Sequence, residues 1–323
     1  MANDKTKGIV LVVFLMFFGN YVYAQNGVDK KILWTADWSP DGRYIAIGGN
    51  IESLKIYSSK NLQLLKSYLT GNTITRVKWH PVENILAVAT QTSGDKVRIL
   101  NFETDTIIEL EGISPDGARG IDWNHSGEFL AVADNDGQIL IFSKSGKPLR
   151  KINHDNTKSI TSIDWHPKKN IFVTVGDKIR VYDSNGNLLK AIIHRKEQTL
   201  LLCVAWHSTG DFFVTGDYGD NQNNYKPLLQ FWNTNGELFK SINISKGEYR
   251  NIAWNAKGDR LASASDALRI WDKKGNLIHE GSSKDYIWGV SWNRKGNRIV
   301  TSSTEQRVII WDNKAKKIIV AGP

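Results

Sequence analysis

Apolar residues in this chain come in short runs of four to six, each broken by a polar turn, and past residue 24 no stretch calls for a long helix. The most legible segment runs from Trp254 to Asp272. An apolar strand ends at Trp254, a polar turn covers 255–259, and two further strands, 261–265 and 268–271, bend around Asp266. Near-continuous apolar runs with small residues between them suit strands covered on both faces. The segment reads as a packing unit rather than as chemistry.

That unit recurs. Aligning on the Trp before the polar turn gives Trp38, Trp79, Trp123, Trp165, Trp206, Trp254 and Trp292, with gaps of 41, 44, 42, 41, 48 and 38 residues. The mean of about 42 matches a four-stranded propeller blade. Each Trp is followed by turn residues, from Ser39-Pro40-Asp41-Gly42 in the first copy to Asn293-Arg294-Lys295-Gly296 in the seventh. Pro presets φ and Gly accepts positive φ, so each turn closes a hairpin. Second strands follow, such as Tyr44–Ile47 and Phe129–Val132. Third strands end on Tyr57, Leu100, Phe142, Tyr182, Trp232, Trp271 and Trp311, each with a polar residue after it.

The Trp271-Asp272 and Trp311-Asp312 dipeptides at strand ends, the Ser-Pro-Asp-Gly type of turn and the period resemble the tryptophan-aspartate (WD) repeat β-propellers over about residues 28–320. The expected fold is all-β, a seven-bladed β-propeller of four-stranded antiparallel blades filling residues 25–323. The resemblance also implies a blade lock: a His ahead of the first strand, an Asp in the turn between second and third strands, a Ser or Thr on the second and a Trp on the third. The sixth unit keeps Ser263, Asp266 and Trp271. The fourth keeps His154, Thr174 and Asp177, with Tyr182 in the Trp position, and the seventh has His279 and Trp311 but Glu305 for the Asp. The family's Gly-His pair is missing throughout, so the member is degenerate. The last unit has its own fourth strand, 317–320, and the first its own inner strand, 32–38. The ring is therefore expected to close by side-chain packing alone.

Composition changes the picture at one end. Lys5 and Lys7 precede an apolar run from Ile9 to Phe18, and Val22-x-Ala24 supplies small residues before a cleavage point. Residues 1–24 read as a secretory signal peptide, the run falling short of the ~20 residues that cross a bilayer. The expected product is an exported protein, periplasmic or secreted, with Gln25 first and no membrane span. Removing two lysines and one aspartate takes the net charge from +9 to +8, spread over the chain, which names no partner. The lone Cys203, in an apolar strand, reads as a buried small hydrophobe.

Candidate chemistry divides into repeated and single features. His80, His125, His166 and His207 recur beside turns, and Asp37, Asp122 and Asp164 precede aligned Trp residues, with Lys78 in the second unit. A residue demanded by blade geometry recurs, whereas a catalytic group usually appears once. The histidines are read as turn caps and the carboxylates as structural, so no catalytic residue, metal or cofactor is expected. Asp134 to Gly137 reads as a tight turn. The stretch 216–227 is a single-copy insertion between second and third strands, carrying Tyr225, and such insertions often carry binding. No Gly-x-Ser-x-Gly elbow or phosphate loop is present.

Four residues before each aligned Trp stand Trp34, Thr75, Arg119, Thr161, Leu202, Arg250 and Trp288. Strand geometry places them near one rim of the central channel, alongside Arg76, Tyr249 and Tyr286, and these residue types dominate binding hot spots. The expected function is a monomeric, non-catalytic scaffold for a protein or peptide, with Trp34, Arg76, Arg119, Tyr225, Tyr249, Arg250, Tyr286 and Trp288 as the binding set. A basic-aromatic rim also suits single-stranded nucleic acid, a partner that export makes hard to meet, so none is expected. The alternatives are a metal-dependent lactonase or hydrolase with carboxylates at the channel mouth, and a glycan-recognition module marked by Trp34 and Trp288.

Overall fold

A computed structural model describes residues 31–91, 97–153, 160–194, 199–220 and 222–322. Within Ile32–Pro323, seven antiparallel sheets of four strands follow one another, each built from four consecutive strands. The first strands of the blades are Leu33–Trp38, Thr73–Trp79, Ala118–Trp123, Ser162–Trp165, Leu201–Trp206, Asn251–Trp254 and Ile287–Trp292. Each packs on the first strand of the next blade, and the seventh packs on the first, closing a ring around a channel. This is a seven-bladed β-propeller, and the described residues form no helix. Cleavage at residue 24, like the cap His154, lies outside the described residues.

Local chemistry explains why each blade begins alike. After the aligned Trp of the first, third and seventh blades, a short polar side chain accepts the N–H that opens the second strand: Tyr44 N to Ser39 Oγ at 2.9 Å, Phe129 N to Asn124 Oδ1 at 2.9 Å and Arg298 N to Asn293 Oδ1 at 3.0 Å. In the second, fourth and fifth blades a His takes that place. Fourth strands are exposed, as at Leu64–Leu69 and Thr106–Glu109.

The core is divided into seven apolar clusters, one for each contact between neighbouring blades. The cluster at the seam joins Leu33, Ala36 and Ile45 of the first blade to Val300, Val308 and Ile310 of the seventh. All four strands of each seam blade come from its own end of the chain, as expected. Packing is not the whole closure, however. Ser291 Oγ donates to Asp37 Oδ1 at 2.7 Å across the seam.

Asp37 belongs to a set of latches that the sequence did not reveal. Its other oxygen accepts Trp79 N at 2.9 Å, while its backbone carbonyl accepts Trp79 Nε1 at 3.2 Å. Asp122 holds Trp165 in the same two ways, at 2.9 and 3.1 Å, and Asp164 accepts Trp206 N at 2.7 Å. Each carboxylate thus pins the next blade's Trp. Three of the four histidines reach across the same contacts, while His125, one residue further from its aligned Trp, is exposed. His80 Nδ1 accepts the N–H groups of Val82 and Glu83, which leaves Nε2 as the donor to Gly127 O at 3.1 Å in the next blade. His166 repeats this toward Gly210, and His207 Nε2 lies 2.7 Å from Gly258 O. They cap turns, and they are inter-blade pins as well.

The family lock survives in part. Trp271 Nε1 donates to Ser263 Oγ at 2.9 Å, and the same bond joins Trp232 to Thr215 at 3.0 Å and Trp311 to Thr301 at 2.8 Å. Asp266 accepts Arg269 at 2.8 Å and Ser245 at 2.7 Å. In the fourth blade Asp177 likewise pairs with Arg180 at 2.8 Å, Thr174 is buried, and Tyr182 stacks on Phe172. An Arg on the third strand therefore serves these aspartates. His279 sits in the exposed fourth strand Leu277–Ser282, paired with Ile270.

Candidate binding rim at the channel mouth

First strands carry an irregularity near their N-terminal ends. The register with the second strand skips one residue at Trp34, Thr75, Arg119, Leu202 and Trp288. Thr161 and Arg250 stand just ahead of their shorter first strands. A bulge breaks strict alternation and re-aims the extra side chain. All seven of these residues, joined by Arg76, line one cavity of about 60 Å³ at the mouth of the channel.

The lining is cationic and aromatic. Trp34 and Trp288 lie 5.2 Å apart at 54°, and the Arg250 guanidinium sits 4.0 Å over the Trp288 ring. Glu248 accepts from Arg250 at 2.5 and 2.9 Å, and Gln91 accepts from Arg119 at 3.2 Å. Burial, and then the charge of Arg250, pull Arg119 down to about 10. Burial lowers Arg76 too, opposed by the field of Cys203 and of Asp122, Asp37 and Asp164. Thr75 and Thr161 turn their hydroxyls to the next blade, donating to Ala118 O and Leu201 O at 2.6 Å each.

Below the mouth Lys78 Nζ lies 3.4 Å from Asp122 Oδ1. Burial works against the Lys78 charge, yet Asp122, Asp164 and Asp37 together hold its pKa above the ordinary lysine value. Burial, aided by Asp122, pushes the Asp164 carboxyl up to about 8. Cys203 is buried, its Sγ 3.2 Å from Tyr249 O, and burial pushes the thiol up to about 12.

The remaining rim positions separate. Tyr286 and Tyr225 are exposed. Tyr249 is not: it is fully buried in the core between the fifth and sixth blades, against Gly216, and offers no surface to a partner. A spacing argument could not tell it from Arg250, because the fit against Gly216 belongs to the next sheet. Tyr218, which the sequence did not single out, packs beside Arg250 with 5.8 Å between guanidinium and ring. The insertion between second and third strands of the fifth blade is built rather than loose. Asp217 Oδ1 accepts Gly219 N and Leu228 N at 3.0 and 2.8 Å, and Asp220 pairs with Tyr225 through N–H···O bonds of 2.6 and 2.8 Å. Asp220 also accepts from Gln222 and Asn223. Asp217 O accepts Tyr249 N at 3.1 Å, which sets the insertion beside the mouth.

Fold and site together define a propeller whose blades are tied by buried polar latches and whose irregular residues gather at one end of the channel. Residues 34–209, more than half of the chain, match the family described as "WDR19 first beta-propeller", and residues 275–312 match "WD domain, G-beta repeat". The chain belongs to the WD-repeat β-propeller family. It is similar to an intraflagellar transport protein 122 homolog of Danio rerio, 27% identical over 57% of this chain and 16% of that protein. It is also similar to an intraflagellar transport protein 80 homolog of Mus musculus, 26% identical over 47% of this chain and 19% of that protein. THO complex subunit 3 of Arabidopsis thaliana is 24% identical over 75% of this chain and 76% of its own length. The chain thus spans less than a fifth of the two intraflagellar transport relatives.

Proposed function

We propose that this protein is a non-catalytic, monomeric scaffold that holds a protein or peptide segment on the rim around Trp34, Arg119, Arg250 and Trp288, after export and removal of residues 1–24. One observation carries the reading. The seven equivalent rim positions converge on a single mouth and supply two Trp, two Arg and two Thr with one Leu, a lining dominated by aromatic and cationic groups. Aromatic and guanidinium groups gathered at one place on a rigid ring are what a binding surface needs. The names of two relatives in Arabidopsis thaliana, a THO complex subunit and a cofactor of the APC complex, support protein partners.

The alternatives draw less support. Asp37, Asp122 and Asp164 each accept a neighbouring backbone N–H, and the charge they share in the channel is met by Lys78. Trp288 is 8% exposed and covered by Arg250, a poor platform for a sugar face. The test is site-specific photo-crosslinking in the native host from Tyr225 and, as a control, from Lys273 in the hairpin between third and fourth strands. The expected result is a defined adduct from position 225 alone, in the periplasmic or secreted fraction, on a chain beginning at Gln25. Equal labelling from both positions would sink the rim, and a cytoplasmic chain that keeps residues 1–24 would sink export.

A further inference from the structure

Resting on the rim reading, we propose that the channel mouth is a carboxylate subsite: an acidic side chain of the bound peptide enters it and is held by Arg76 and the indole N–H of Trp34. Three guanidiniums, Arg76, Arg119 and Arg250, line one small cavity, and no carboxylate does. Arg250 is committed to Glu248 and to the face of Trp288. Arg76 is different. Its guanidinium has no hydrogen-bond partner among the described residues, and the aspartates that offset its burial act on it only through space. Trp34 Nε1 is a second donor of the same lining, buried and without an acceptor.

A guanidinium fork without a protein partner and a buried indole N–H without an acceptor call for a ligand that only accepts, which is what an ionised carboxylate does. An ammonium or guanidinium would add charge to a mouth that already holds three cations. The indole N–H of Trp34 is buried without an acceptor, and a bound carboxylate would relieve that cost. The size of the cavity settles how much of the ligand enters. About 60 Å³ holds a side-chain tip, so the rest of the ligand must lie over the rim, where Tyr218, Tyr225 and Tyr286 are exposed. A phosphodiester sits within a continuous backbone and cannot send a terminal oxyanion down so narrow an opening. The observations therefore favour a peptide bearing Asp or Glu over a nucleic acid.

The indole N–H of Trp34 is its own reporter. In a protein labelled with 15N at its 12 tryptophans, the Trp34 signal is the one lost in Trp34→Phe. Titration with the blocked pentapeptide Gly-Ser-Glu-Ser-Gly is expected to move that signal downfield, and the Gln-containing counterpart to leave it in place. Arg76→Met is expected to weaken the effect at least tenfold while the other indole signals keep their positions, which shows that the ring is intact. Acetate is expected to bind at least tenfold more weakly than the pentapeptide, and inorganic phosphate and oligo-dT no better than acetate. A silent Trp34 signal, an equal response to the Gln peptide, or an unchanged Arg76→Met variant would overturn the proposal. Acetate as tight as the peptide would reassign the mouth to small carboxylates, and tighter phosphate or oligo-dT to phosphoryl groups; either overturns it. If crosslinking from position 225 captures a partner while Trp34 stays silent, the rim stands and the carboxylate subsite falls.

Discussion

His80 and Gly127 show how much one residue pair can carry here. Gly127 has φ of +77°, and a Cβ at that position would lie 1.9 Å from His80 Nε2. The glycine thus serves its own turn and the pin from the preceding blade. Gly127→Ala is expected to destabilise the protein by about 2 kcal/mol or more, from strained φ and from displacement of the imidazole. His80→Ala leaves Gly127 O and the N–H groups of Val82 and Glu83 unmet, at about 1–3 kcal/mol. In the double variant the clash is gone, so urea unfolding should show a loss clearly smaller than the sum of the two; strict additivity would mean that the two residues are uncoupled. The sequence showed that each belonged to a turn. That they belong to each other depends on which blade lies alongside.

At the scale of the element, the blade lock is legible where it is local. Trp271 and Ser263 face each other on adjacent strands of one hairpin, so spacing alone pairs them, and the same logic extends to Trp232 with Thr215 and Trp311 with Thr301. The partner of Asp266 was not legible, because the family pattern directs attention to a histidine while the chain supplies Arg269 from three residues on. Burial opposes ionisation of Asp266, yet Arg269 and Ser245 hold its carboxyl well below the usual range. A folded pKa below the unfolded value contributes stability above the unfolded pKa and loses it as pH falls. Arg269→Met is expected to cost about 3 kcal/mol at pH 7 by stranding a partly buried carboxylate. Asp266→Asn in the same chain should restore much of that loss. Thermal melts of the single and double variants decide the point, and equal loss in both would dissociate the ion pair from stability.

For the whole molecule, the channel sets a pH dependence of its own. Burial and the neighbouring Asp122 raise the Asp164 carboxyl in the folded ring, to about 8, against about 3.9 in an unfolded chain. Between those values the unfolded chain has released a proton that the folded one keeps, so stability falls as pH rises through this window. The depressed His80, His166 and His207 act the other way, removing stability as pH drops below about 6.5. Asp164→Asn keeps an oxygen for Trp206 N and removes the titration. The excess of its Tm over wild type is expected to widen from pH 5 to pH 8 and to reach about 2 °C or more at pH 9. Parallel Tm profiles from pH 5 to 9 would show that Asp164 ionises freely.

The sequence by itself determined the number of blades, the order of strands in each and the self-contained blades at the seam. Turn chemistry and strand alternation are local, and seven copies of them average out the noise of any one. It also marked the Trp34, Arg119 and Arg250 positions as the places where copies diverge. Only the tertiary structure decided what those positions do. The bulges that turn them into one mouth, the carboxylates that bridge to the next blade's Trp and the burial of Tyr249 all arise between blades. Contacts across 40 residues of chain leave no period to read.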